Sequence, residues 1–117
     1  MMRGELHTKH SEGTMNDVLP AIERWRARGD AIAIATVVRT LGSAPRGVGA
    51  KMAVSSSGAM AGSVSGGCIE GAVFEACQQA IATGESRLLH FGVADDEAWD
   101  VGLACGGTID VFVEPLR

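Results

Sequence analysis

No segment of the sequence approaches the roughly 18 to 20 consecutive apolar residues that would cross a bilayer. The opening residues, Met1 to Thr14, lack the apolar stretch of a secretory signal. A cytoplasmic protein with no membrane partner is therefore expected. Lys and Arg form no cluster, and the formal net charge is -4. Nothing electrostatic favours a phosphate backbone, so nucleic acid is an unexpected partner. Cysteine is scarce and odd in number, three in 117 residues, which in a chain without an export signal argues for reduced thiols and against a disulfide framework. There is no Cys-x-x-Cys and no His-x-x-x-His, and His7, His10 and His90 are scattered; a metal held by protein ligands alone has little support. Nucleotide-binding signatures are missing too, since no Gly-Lys-Ser/Thr ends a glycine loop and residues 63 to 71 contain no Gly-x-Gly-x-x-Gly. No Ser/His/Asp constellation assembles. Asp95, Asp96, Glu97 and Asp100 read as a solvated acidic turn.

What is present is enough for one folded unit. The apolar fraction of 46% against 21% charged residues suits a globular core and excludes a disordered chain. The length leaves room for a single core. Residues 1 to 14 have no apolar period and are expected to form a mobile arm, followed by one domain over residues 15 to 117.

From Asp17 to Arg28, Val18, Leu19, Ile22 and Trp25 recur at helical spacing, with Asn16 or Asp17 as N-cap, Pro20 in or beside the first turn and Gly29 ending the helix. The run Ala31 to Val38 is apolar without alternation and predicts a strand covered on both faces. Residues 50 to 55 and 59 to 64 predict a hairpin turning at Ser56-Ser57-Gly58, with Met52, Val54, Met60 and Val64 facing the core. Ile69, Val73, Ala76, Cys77, Ala80 and Ile81 share one side of a second helix over 69 to 82, closed by Gly84. Ser86 to Val93 and Thr108 to Glu114 are the last strands, the final one alternating Ile109, Val111 and Val113 with polar residues before Pro115. The expected fold is α/β: a mixed sheet of about five strands, with one hairpin and one βαβ unit, packed by two helices.

Eleven of the sixteen glycines fall in residues 42 to 71 and 102 to 107. Such clustering costs backbone entropy, so a role beyond turning is sought for Gly42 to Gly49, Ser63 to Cys68 and Gly102 to Gly107. The second loop runs from a strand into a helix, where unpaired amides favour an anion and glycines let a ligand approach. Cys68 fits two readings: a thiolate favoured by the helix end, or a small buried residue at a tight helix entry. Cys77 lies on the apolar helix face and reads as structural. Cys105 is flanked by residues too small to shield it, which suits an accessible thiol. Arg46 and Lys51 bracket the first loop and could complement an anion, although both could also be plain surface charges.

Gly42-Ser-Ala-Pro-Arg46, Gly49-Ala-Lys-Met52, Gly62-Ser-Val-Ser-Gly-Gly-Cys68 with Glu70, and Asp100-Val-Gly-Leu-Ala-Cys-Gly-Gly107 with Val113-Glu114-Pro115 together resemble the N-terminal domain of the XdhC/CoxI accessory proteins. The likeness runs over residues 15 to 117 in order. It implies a chaperone, not an enzyme, that binds the molybdenum cofactor (molybdopterin) as cargo. Such a protein keeps the cofactor available for sulfuration by a cysteine desulfurase and helps insert it into xanthine dehydrogenase-type molybdenum hydroxylases. Carried onto this sequence, it points to Cys105, Gly106, Gly107, Cys68, Gly66, Gly67, Ser65, Arg46 and Ser43 as cofactor-binding residues, with Cys105 as the molybdenum contact. Molybdopterin carries a phosphate, which suits the helix-end amides, and soft sulfur chemistry suits a reachable thiolate. Many proteins of this kind continue into a second, Rossmann-like domain; a separate partner could supply it here, or the chain could form a homodimer. Two alternatives stand beside this: a cysteine-dependent enzyme or persulfide carrier, and an assembly module without a small ligand.

Overall fold

The computed structural model describes residues 15–41, 47–65, 69–92 and 108–116. They form α1 (Met15–Ala27), β1 (Ile32–Leu41), β2 (Lys51–Ser55), β3 (Met60–Gly62), α2 (Glu70–Thr83), β4 (Arg87–Gly92) and β5 (Thr108–Leu116). The five strands make one sheet in the order β3-β2-β1-β5-β4. β1, the strand whose sequence lacks alternation, is central as expected. Its odd-numbered side, Ala33, Ala35 and Val37, packs under α2 with Met52, Val54, Val73, Cys77, Ile109, Val111 and Val113. Its even-numbered side, Ile32 and Ile34, packs under α1 with Ala53, Val18, Ala21, Ile22 and Trp25. Successive side chains on a strand point to opposite faces, so this split places the two helices on opposite sides of the sheet.

The sheet is antiparallel throughout, which corrects the expected mixed sheet. β3 and β4 do run in the same direction on either side of α2, but three strands separate them. A three-residue β3 offers few ladder positions, whereas β5 pairs with β1 at nine. The long antiparallel ladder wins.

Element ends depart from expectation where proline is involved. α1 begins at Met15, so Asn16 and Asp17 lie inside its first turn and Pro20 in its second, where the ring removes one helical hydrogen bond. Pro115 lies within β5. It pairs with Ala33, while β4 already stops at Arg87 opposite Val113, so this stretch has one neighbouring strand and tolerates a missing donor. Met60 is a second correction: it is 45% exposed because α2 packs chiefly over β5, β1 and β2 and not over the edge strand.

Both helices end on a left-handed glycine, Gly29 (φ 88) and Gly84 (φ 78). At Gly29 the amide reaches the Arg26 carbonyl and the Asp30 amide reaches that of Trp25, a Schellman closure. Asp30 is then held by Arg28 at 2.6 Å and by the Ser57 hydroxyl at 3.1 Å, which ties the α1–β1 link to the β2–β3 turn. The Arg28 guanidinium keeps the Asp30 carboxyl below its usual range. Gly62 (φ 82) allows α1 to close on the sheet, since a Cβ there would collide with the Lys51 carbonyl and the Val18 side chain.

Candidate functional site

Strand directions decide where the glycine-rich segments leave the sheet. Leu41 at the end of β1 pairs with Thr108 at the start of β5, which pairs with Gly92 at the end of β4. Thr36 pairs with Lys51 at the start of β2, and Met52 pairs with Gly62 at the end of β3. The chain therefore departs into, or returns from, all three segments at one end of the sheet. α2 starts at this end too, because β3 ends here and β4 starts at the other. The Asp30–Arg28–Ser57 clasp closes that opposite end.

The most detailed geometry lies between β3 and α2. The Glu70 carboxylate, in the first turn of α2, accepts hydrogen bonds from the Ser63 hydroxyl (2.8 Å), the Val64 amide (3.0 Å), the Ser65 amide (2.9 Å) and the Ser65 hydroxyl (2.6 Å). The Ser65 oxygen in turn accepts from the Ile69 amide at 2.9 Å. Burial works to raise the Glu70 pKa, but the bonds from Ser65, Ser63 and Val64 outweigh it and hold the carboxyl down at about 2. Two amides of the second glycine-rich loop, that of the expected cofactor-binding residue Ser65 among them, are thus bound to an internal anion. Glu70 is the residue whose role sequence reasoning missed, and its signal was faint: two hydroxyls in a loop and an acid at the following helix start.

At the first segment, the Gly49 amide donates to the Val37 carbonyl (2.8 Å) and the Val37 amide to that of Ala50 (2.9 Å). These bonds carry the β1–β2 ladder past Lys51. The Lys51 ammonium donates to the Thr36 hydroxyl at 2.9 Å, on the α1 side of the sheet. Among the described residues, α1 packs on this side mainly over β1, β2 and β3, with Leu116 of β5 at its margin. On the same side Arg39, Asp110 and His90 form a row across three strands. Asp110 bonds to His90 Nδ1 and lies 3.8 Å from Arg39.

Of the cofactor-binding residues expected from sequence, Ser65 is described and holds the turn to Glu70. Ser43, Arg46, Gly66, Gly67, Cys68, Cys105, Gly106 and Gly107 lie outside the described residues, as do the acidic segment 95–100 and the arm 1–14. Cys77 is buried, and burial pushes its thiol up to about 12, in line with a structural role. Among the described residues no group of three or more His, Cys, Asp or Glu could hold a metal ion, and no helix is long and apolar enough to cross a membrane.

Known proteins extend this picture. The chain is 37% identical over 91 residues to the molybdenum cofactor insertion chaperone PaoD of Escherichia coli, covering 76% of this chain and 28% of that protein. It is 38% identical over 88 residues to a probable xanthine dehydrogenase subunit of Bacillus subtilis, covering 71% and 26%. It thus spans little more than a quarter of these two relatives. Among solved structures, a xanthine dehydrogenase from Bacillus halodurans superposes with a TM-score of 0.69 and 28% identity, over 86% of this chain and 31% of that one. The sequence pattern of the XdhC and CoxI family matches residues 25–92, from Trp25 in α1 to the end of β4, and the chain belongs to that family.

Proposed function

We propose that this chain binds the molybdenum cofactor as cargo and delivers it to a xanthine dehydrogenase-type molybdenum hydroxylase, acting as an escort and not as an enzyme. The observation that carries this reading is the shared exit of the three glycine-rich segments at one end of the sheet. Segments rooted side by side can contribute to one ligand, and glycine allows the close backbone approach that a large cofactor needs. The relative PaoD, named as a molybdenum cofactor insertion chaperone, supports the cargo, and the two Bacillus proteins named for xanthine dehydrogenase support the acceptor class.

In this reading Cys105 contacts the molybdenum, while Gly106, Gly107, Gly66, Gly67, Cys68, Arg46 and Ser43 hold the pterin and its phosphate. Ser65 acts indirectly, because its amide and hydroxyl already bind Glu70. A cysteine desulfurase sulfurates the cofactor while it is held, and the protein works in the cytoplasm as a homodimer or with a separate Rossmann-like partner.

Anaerobic titration with isolated molybdenum cofactor, followed by transfer to a cofactor-free hydroxylase, tests the proposal. Binding should raise the melting temperature by mass action and should restore hydroxylase activity. Cys105→Ala should lose most co-purified molybdenum while keeping its fold. Unchanged molybdenum content in that variant would remove Cys105 from the site.

A further inference from the structure

We infer that Glu70 is a positioning residue: its carboxylate fills the anion seat between β3 and α2 and holds Ser63, Val64 and Ser65 against the start of α2, so that cargo affinity depends on it without its touching the cargo. The inference rests on the proposed function for the identity of the cargo. Its geometric part stands alone.

A capping glutamate sits at the third helical position and reaches the amide of its own N-cap. Glu70 is the first residue of α2 and reaches the other way, across five to seven residues, to Ser65, Val64 and Ser63. Its negative charge is spent on the loop. Ser65 immediately precedes the Gly66-Gly67-Cys68 tripeptide and Ile69 immediately follows it, and the two are joined through the Ser65 hydroxyl. That hydroxyl donates to Glu70 Oε1, so one carboxylate, one serine and one helix-entry amide join Ser65 to the start of α2. The donors that Ser63, Val64 and Ser65 aim at this one carboxylate make a seat that any small carboxylate could occupy if the side chain were removed. The phosphate of a cargo molecule is therefore not read by the Val64 and Ser65 amides.

The test uses the full chain as Glu70→Ala and Glu70→Gln, with sodium formate as the probe and sodium chloride at equal ionic strength as control. Formate should raise the melting temperature of Glu70→Ala and leave the parent chain unmoved; an equal response in both would show that Glu70 does not fill the seat. Cofactor affinity is then measured at a temperature where circular dichroism shows each variant folded, together with the absorption spectrum of the bound cofactor. Glu70→Ala should bind about 10- to 100-fold more weakly, the usual cost of losing a residue that orients ligand-holding groups, and formate should recover much of that loss. Glu70→Gln retains the shape, blocks the seat and should be weakened without formate rescue. Should Glu70→Ala fail to fold, Glu70→Gln decides: weaker binding supports the inference and parental binding overturns it. If the parent chain itself binds no cofactor, the proposed function fails, and the formate experiment still decides what Glu70 does.

Discussion

Glu70 gathers four hydrogen bonds from Ser63, Val64 and Ser65 among the described residues, and its stabilising effect has a definite pH signature. The folded pKa is lowered from 4.5 to about 2. Its contribution is therefore complete above the unfolded value and is lost as pH falls from there through about 2. Urea unfolding of the parent and Glu70→Gln should differ by about 1.5–3 kcal/mol at neutral pH, the range for hydrogen bonds to a charged group. The gap should narrow steadily below pH 4.5; a gap independent of pH would mean that the charge is not what holds the turn. Cys77 makes a simpler case. Burial and a thiol pKa near 12 predict that a thiol reagent at pH 8 leaves it unlabelled in the folded chain and labels it after unfolding, as read by peptide mass spectrometry. The structural role of Cys77 was legible because its neighbours at helical spacing are apolar. The role of Glu70 was hidden, since an acid in a first helical turn is already accounted for by the helix dipole and its real partners lie in the preceding loop.

The elements themselves were largely legible, and the misses have local causes. Apolar spacing found both helices, and unbroken apolarity found the buried β1. Pro20 and Pro115 misled on boundaries: the gain from packing Val18, Ile22 and Trp25 against the sheet carries α1 through its proline, and β5 outruns β4 before reaching its own. Met60 has the right phase for the α2 face but sits on an edge strand beyond the helix. Two substitutions test how α1 is seated. Trp25→Ala should cost about 3–5 kcal/mol, as for other buried aromatic truncations. Gly62→Ala should cost about 1–3 kcal/mol from its left-handed backbone alone, with more from collision with Val18 and the Lys51 carbonyl. Denaturant titration reads both, and a neutral Gly62→Ala would mean that α1 does not close on β3 as described.

At the scale of the whole molecule, sequence supplied the segments but not their meeting place. Glycine clusters and cysteines could be read from the chain, whereas their common exit depends on strand order and direction. The expected parallel βαβ arrangement had these wrong. With β5 inserted between β1 and β4, the strand ends at Leu41, Thr108 and Gly92 stand side by side, with α2 starting at the same end. Eight of the nine expected cofactor-binding residues belong to those segments beyond the described residues, so the claim they share, one cargo touched from three roots, calls for a solution measurement. Hydrogen–deuterium exchange with and without anaerobically bound molybdenum cofactor is the most direct. The prediction is slowed exchange in 42–49, 63–70 and 93–107 together, with no change at the Ser55–Gly58 turn of the opposite end. Protection confined to one segment, or appearing at that far turn, would contradict a single site built at this end of the sheet.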